Sequence, residues 1–316
     1  MTIELHNNVY CEGEGLPVVL VHGFPVDHRM WDECAEALEA AAVEHGVKRF
    51  PIWGPDMPGA GEGPIPSDEI SGGKDADGAF PNGLDHMADA YVAMLHAAGY
   101  DKAIWAGLSM GGYLVLDIQR LHPEAVAALA LCDTKAAADS AQMRAKRIAI
   151  AEACESTGTH EPVMGFAAST PEDSTIKQSA AYREQFTTWI NEQPAEGIAW
   201  RERMAAGRPD LNDVLPAITA PVAVICGDKD PSSPPSVMTP IADAMTGTSA
   251  DMTVIFDCGH FSAYEHPQAV ADALLALVRE KSVFIWSLAF PLILSTMFVF
   301  MFANLDEAGQ FEPIPT

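Results

Sequence analysis

Over the first 135 residues, short continuous apolar runs alternate with stretches in which apolar residues recur at helical spacing. Pro17-Val18-Val19-Leu20-Val21 and the segment from Ala125 to Cys132 read as buried strands, and the runs around Phe50-Pro51-Ile52-Trp53 and Ala103-Ile104-Trp105-Ala106 as further strands. Helical spacing follows Trp31 to about Ala42, runs from Leu84 to Ala98 with Gly99 as terminator, and resumes over Tyr113 to Ile118. At the start of the chain, Thr2 to Leu5 and Val9 to Cys11 flank Asn7-Asn8, a pair that tolerates positive φ, so a hairpin is predicted there. Strands alternating with helices predict an α/β fold, a mainly parallel sheet with helices on both faces. From Ala136 to about Leu215 the pattern is helical only. Strands return at Pro221 to Cys226 and Met252 to Phe256, and an amphipathic helix runs from Pro267 to about Lys281. The chain therefore divides into a first part of the core (1–133), a helical insertion placed to act as a cap (134–215), a second part of the core (216–281) and a hydrophobic tail (282–316).

Two glycine- and proline-rich stretches, Asp56 to Gly63 and Ser71 to Gly78, form one connection that is long for a compact domain. Such a connection is expected to be either mobile or functional. The formal charge of −26, from 44 acidic and 18 basic residues, has no basic cluster to interrupt it and argues against nucleic acid as a partner. Six cysteines without a Cys-x-x-Cys pair suggest reduced, mostly buried thiols, with no metal and no cofactor. The N-terminus lacks a secretory signal pattern, which places the expected catalytic part in the cytoplasm.

The candidate chemistry centres on Gly107-Leu108-Ser109-Met110-Gly111, between a predicted strand and a predicted helix. Glycines on either side of the serine suit the sharp turn of a nucleophile elbow. A serine hydroxyl needs a base to take its proton and a third group to orient that base. His260 follows the last strand, at the edge where open parallel sheets bind ligands, and is the candidate base. Asp230, after the preceding strand, is the first candidate for the acid; Asp228 and Asp133 are the alternatives. The backbone N–H groups of Met110 and Phe24 are the candidate oxyanion donors, and His22 is expected to hold its loop by hydrogen bonds. Phe24, Trp31, Met110 and Phe261 are expected to line an apolar substrate pocket.

His22-Gly23-Phe24-Pro25, Asp56-Met57-Pro58-Gly59, Gly107 to Gly112, Gly227-Asp228-Lys229-Asp230 and Gly259-His260-Phe261 occur in the order seen in the α/β-hydrolase superfamily, which the chain resembles over about residues 1 to 281. Gly107 to Tyr113, Cys132-Asp133-Thr134 with Ala136 to Asp139, and Gly207-Arg208-Pro209-Asp210 resemble the 3-oxoadipate enol-lactonase-like esterases. The resemblance implies the α/β-hydrolase fold, with Ser109 as nucleophile, Asp230 as acid and His260 as base. The sequence departs from the pattern at Gly59-Ala60-Gly61-Glu62-Gly63, where the family usually has Gly-x-Gly-x-Ser. The expected function is a cofactor-independent serine hydrolase that cleaves a small-molecule carboxylic ester or lactone through an acyl-enzyme. A serine perhydrolase or peroxidase of the same fold and a non-catalytic small-ligand-binding protein are the alternatives. A dehalogenase would need aspartate at the elbow.

From Val283 to Leu305 there is no charged residue and no histidine. As a helix these 23 residues would reach about 35 Å, enough to cross a hydrocarbon core of about 30 Å. The stretch is therefore a candidate C-terminal transmembrane helix. Arg279 and Lys281 before it, against Asp306, Glu307 and Glu312 after it, set the hydrolase on the cytoplasmic side. The alternative is a hydrophobic helix packed on protein. Carbonate-washed membranes should retain the full chain and release a version ending at Lys281; a full chain that fractionates as a soluble monomer would overturn the expectation.

Overall fold

In the computed structural model, which describes residues 2–280, the apolar runs form a seven-stranded sheet. The strands are β1 (His6–Cys11), β2 (Val18–Val21), β3 (Ile52–Asp56), β4 (Ala103–Leu108), β5 (Val126–Cys132), β6 (Val222–Gly227) and β7 (Ala250–Ile255). They lie in the order β1-β3-β2-β4-β5-β6-β7, with β1 antiparallel to β3 and every other neighbouring pair parallel. Every residue of β2 to β6 is buried, as continuous apolar runs require, whereas the edge strand β7 is mostly open on one side.

The core helices are α1 (Asp32–Glu44), α2 (Gly83–Ala97) and α3 (Met110–Leu121), and the helical insertion supplies α4 (Ala141–Thr157), α5 (Ala180–Glu192) and α6 (Ala195–Gly207). After β6 come α7 (Pro235–Ala244), α8 (Ser262–Glu265) and α9 (Pro267–Val278). Helices α1 and α9 pack on each other, as do α2 and α3. Helices α3 and α9 both pack on β4 and β5. Helix α3 is buried from Met110 to Gln119, with no solvent face over that stretch, so its start is fixed by its surroundings. In the insertion, Ser140 and Ser179 cap α4 and α5 by accepting from the N–H groups of Met143 and Tyr182, and Gly158 ends α4 in the left-handed region at φ 66°.

The expected N-terminal hairpin is not formed. Asn7 and Asn8 lie inside β1, paired with Pro55 and Gly54 of β3, because the edge of a sheet already offers these residues backbone partners and no turn is needed. Helix α7 was not legible in the pattern, since Pro235 begins it and Pro240 interrupts its periodicity. All six cysteines are buried and free. No helix among the described residues is long and apolar enough to cross a membrane, and the apolar run 283–305 lies outside the described residues.

The long connection after β3 is fastened to the insertion. Arg144 of α4 reaches Asp75 and Asp77, while Trp200 and Arg203 of α6 donate to Ser71 Oγ and the Gly78 carbonyl. Gly59 and Gly197 meet backbone to backbone, too closely for a Cβ on either. Arg201 is fully buried, and its guanidinium donates to the carbonyls of Val26, Gly59 and Gly197 at 2.9, 3.2 and 3.3 Å. Burial lowers its pKa to about 10, still high enough for the charge to persist. Arg201→Met should leave these carbonyls without a buried donor and cost about 3 kcal/mol or more. A lower midpoint of chemical denaturation with an unchanged slope is the expected measurement.

Candidate active site

The carboxyl ends of the parallel strands converge on Ser109, which joins β4 to α3. Its backbone sits at φ 55°, ψ −109°, a conformation that costs a non-glycine residue about 1–3 kcal/mol. Neighbouring contacts hold it there. The Ser109 N–H donates to the Cys132 carbonyl at the end of β5 (2.9 Å), and Thr134 Oγ1 donates to the Ser109 carbonyl (2.6 Å). The flanking glycines are needed for room: a Cβ on Gly111 would overlap the Val21 carbonyl of β2, and one on Gly107 would overlap the carbonyl of Gly111. The turn therefore brings α3, β2 and β4 together at backbone contact.

His260 follows β7 and is nearly buried at 8% exposure. Its Nε2 lies 2.8 Å from Ser109 Oγ and its Nδ1 lies 2.8 Å from Asp230 Oδ2. The carboxylate of Asp230 is held in turn by the Ser232 N–H at 2.7 Å and the Ser233 hydroxyl at 2.6 Å. Burial opposes a charge on His260, but the charge and hydrogen bond of Asp230 outweigh it and hold the imidazole pKa above its ordinary value. Burial likewise opposes ionisation of Asp230, and there His260 and the two serines prevail and lower its pKa.

The other two candidate acids do other work. Asp133 accepts the N–H groups of Gly227 and Ser262 at 3.0 and 3.1 Å, bridging the ends of β5 and β6 and the start of α8. Burial and the charge of Asp230 raise its pKa. Asp228 accepts the Cys258 N–H at 3.3 Å. Among the described residues Asp230 is the one carboxylate hydrogen-bonded to His260.

His22 is fully buried, and burial lowers its pKa to about 4, so the ring is neutral. Its Nε2 accepts the Met57 N–H at 2.9 Å and its Nδ1 lies 2.9 Å from the Gly23 carbonyl, which assigns the proton to Nδ1. It ties the loop carrying Phe24 to the loop after β3, as the sequence led us to expect. The N–H groups of Phe24 and Met110 have no protein acceptor among the described residues.

A cavity of ≈ 360 Å³ opens beside Ser109 and His260, with Phe24, Met110 and Phe261 in its wall. This volume suits a small organic molecule. Trp31, expected in the wall, does not line the cavity: it is fully buried in the core, at the end of the 3-10 turn His28–Trp31 that leads into α1. The insertion supplies the opposite wall, with Phe166 edge-on to Phe24 at 5.8 Å and Tyr182 stacked at 4.0 Å on Phe186, which meets Phe261 edge-on at 4.7 Å. Sequence reasoning missed these wall residues because the contacts that place them, Phe24 with Phe166 and Phe186 with Phe261, join distant parts of the chain, and no local pattern signals that. It also missed Glu265 of α8, whose carboxylate accepts the N–H groups of Gly259 and Phe261, the two residues flanking His260, at 2.8 and 3.3 Å. An acidic residue five positions after a candidate base was the available signal.

The model of the alpha/beta hydrolase family matches residues 18–273. A thermophilic esterase from Thermogutta terrifontis has a similar structure, with a TM-score of 0.72 and 31% identity, covering 88% of this chain and 93% of that one. The enol-lactonase from Burkholderia xenovorans LB400 aligns at a TM-score of 0.71 with 22% identity over 88% of this chain and 97% of its own, which is a likeness of fold. The dihydrolipoyllysine-residue acetyltransferase component of the acetoin cleaving system of Pseudomonas putida is 26% identical over 274 residues, 84% of this chain, and the chain spans 64% of that protein's length.

An NMR titration of His260 should give a pKa above the reference of about 6.5. Asp230→Asn should lower it, since burial then acts without the opposing charge. Because the folded value is raised, the pair's contribution to stability is full below the unfolded value near 6.5 and is lost as pH rises through the folded one.

Proposed function

Because the chain belongs to the alpha/beta hydrolase family, we propose that it is a cofactor-independent serine hydrolase that cleaves a carboxylic ester or lactone through an acyl-enzyme. The observation that carries this reading is the continuous series from Ser109 Oγ to His260 Nε2 and from His260 Nδ1 to Asp230 Oδ2, each link 2.8 Å. Ser109 Oγ attacks the substrate carbonyl while His260 Nε2 takes its proton. The oxyanion that forms is met by the N–H groups of Phe24 and Met110. The tetrahedral centre collapses, the bond to the alcohol oxygen breaks, and His260 passes the proton to that oxygen. Water then enters, gives a proton to His260 and attacks the acyl carbon. A second collapse frees the acid and returns the proton to Ser109.

Asp230 orients the imidazole and stabilises it while it is charged. The likeness to an esterase and to an enol-lactonase supports an ester or lactone as the substrate class. The cavity of ≈ 360 Å³ beside Ser109 supports a small molecule.

Ser109→Ala should abolish both ester hydrolysis and labelling by a fluorophosphonate probe while leaving the melting temperature close to that of the parent, and labelling that persists at another serine would overturn the assignment. Asp230→Asn should lower turnover by about 10⁴, the loss seen when a triad loses its orienting charge. Asp133→Asn and Asp228→Asn should cost far less, and a larger loss at Asp133 would move the acid to the end of β5. Since the base must be neutral, kcat/KM should rise with pH through the raised pKa of His260, and the limb should lie above about 6.5.

A further inference from the structure

The wall of the active-site cavity carries charge opposite to that of the chain. Five of the 18 basic residues line it, namely Lys135, Lys146, Arg147, Lys177 and Arg208, in a protein with 44 acidic residues and a net charge of −26. The one carboxylate in the wall is Asp133, whose two oxygens are already taken by backbone N–H groups.

The cations are incompletely answered by protein. Lys177 pairs with Asp173 at 2.9 Å. Arg147 pairs with Asp139 and Glu202, and Arg208 pairs with that same Asp139 at 2.9 Å. Lys135 and Lys146 have no ion pair among the described residues. Two carboxylates thus stand against the four cations Lys135, Lys146, Arg147 and Arg208.

Two buried donors on residues of the wall also lack acceptors among the described residues. The Arg208 side chain is only 8% exposed, with its guanidinium 4.1 Å from the centre of the Tyr113 ring, and its Nε has no hydrogen-bond partner. Tyr182 is 1% exposed and its hydroxyl is equally unpartnered. Burial and the neighbouring Arg147 hold the Arg208 pKa below its ordinary value, as expected of a cation short of negative charge. Buried donors without acceptors are rare in folded proteins, and a carboxylate is an acceptor-only group that suits lysine and guanidinium donors.

We propose that the substrate carries a carboxylate away from its scissile carbonyl, held on the side of the cavity formed by Lys135, Lys146, Arg147 and Arg208. This rests on the serine hydrolase reading and adds the substrate's charge to it. The positive wall draws the anion out of a field that otherwise repels it.

Two matched ester pairs test this on the full chain. One pair is the 4-nitrophenyl monoester of glutaric acid against 4-nitrophenyl methyl glutarate, with the charge on the acyl side. The other is acetoxyacetate against its methyl ester, with the charge on the alcohol side. In at least one pair kcat/KM should favour the anionic member by about tenfold or more, the size of one charge-assisted hydrogen bond. That ratio should fall towards one in the double variant Lys135→Gln, Lys146→Gln, and should shrink as sodium chloride is raised. Both lysines reach solvent, so the variant should fold. Neutral esters preferred or equal in both pairs, with fluorophosphonate still labelling Ser109, would overturn this inference alone. Failure of labelling and of turnover on all four esters would overturn the hydrolase reading and this inference with it.

Discussion

Backbone contact between the start of α3 and the end of β2 is the constraint on which the site depends. Gly111 touches the Val21 carbonyl with no room for a Cβ, and two positions earlier Ser109 sits at a positive φ. The strain at Ser109 is sustained because α3 has no solvent face along most of its length and cannot relax by moving outward. One close approach thus sets the height of the serine hydroxyl and aims the first N–H of the helix. It also brings the loop of Phe24 beside it. The histidine and its aspartate come from the ends of two further strands in the same parallel array, so the register of the sheet fixes their distance from the serine.

The core of this arrangement was legible in the sequence because it is written locally. Ser109 and Asp230 each follow a buried apolar run, His260 follows the more open edge strand β7, and glycine marks each turn. Strand and helix periods distinguish the two halves of the core without reference to distant residues. What was not legible depends on contacts between distant segments. Asn7-Asn8 has the chemistry of a turn, yet a free sheet edge competes for its backbone and wins. Trp31 was expected in the pocket, but the 3-10 turn His28–Trp31 that leads into α1 places it in the core. Choosing among Asp133, Asp228 and Asp230 required distances, since all three sit in loops at the same end of the sheet.

Core and insertion contribute different things to the cavity. Ser109, His260 and the two N–H groups come from strand ends, whereas Lys146, Arg147, Lys177, Tyr182 and Arg208 come from the segment between β5 and β6. Ser109, His260 and the two N–H groups are held by short-range backbone geometry, and the charged wall by long side chains and ion pairs. Change in the insertion can therefore alter which molecule is accepted without touching the turn at Ser109.

The two parts nevertheless meet at Glu265. Its carboxylate takes a hydrogen bond from the hydroxyl of Ser174, in the insertion, and also supports the amides on both sides of His260. A shift of the segment around Ser174 to admit a bulky molecule would strip a donor from that carboxylate and loosen the seat of the imidazole. The insertion and the loop that holds the imidazole of His260 are thereby joined through a single carboxylate.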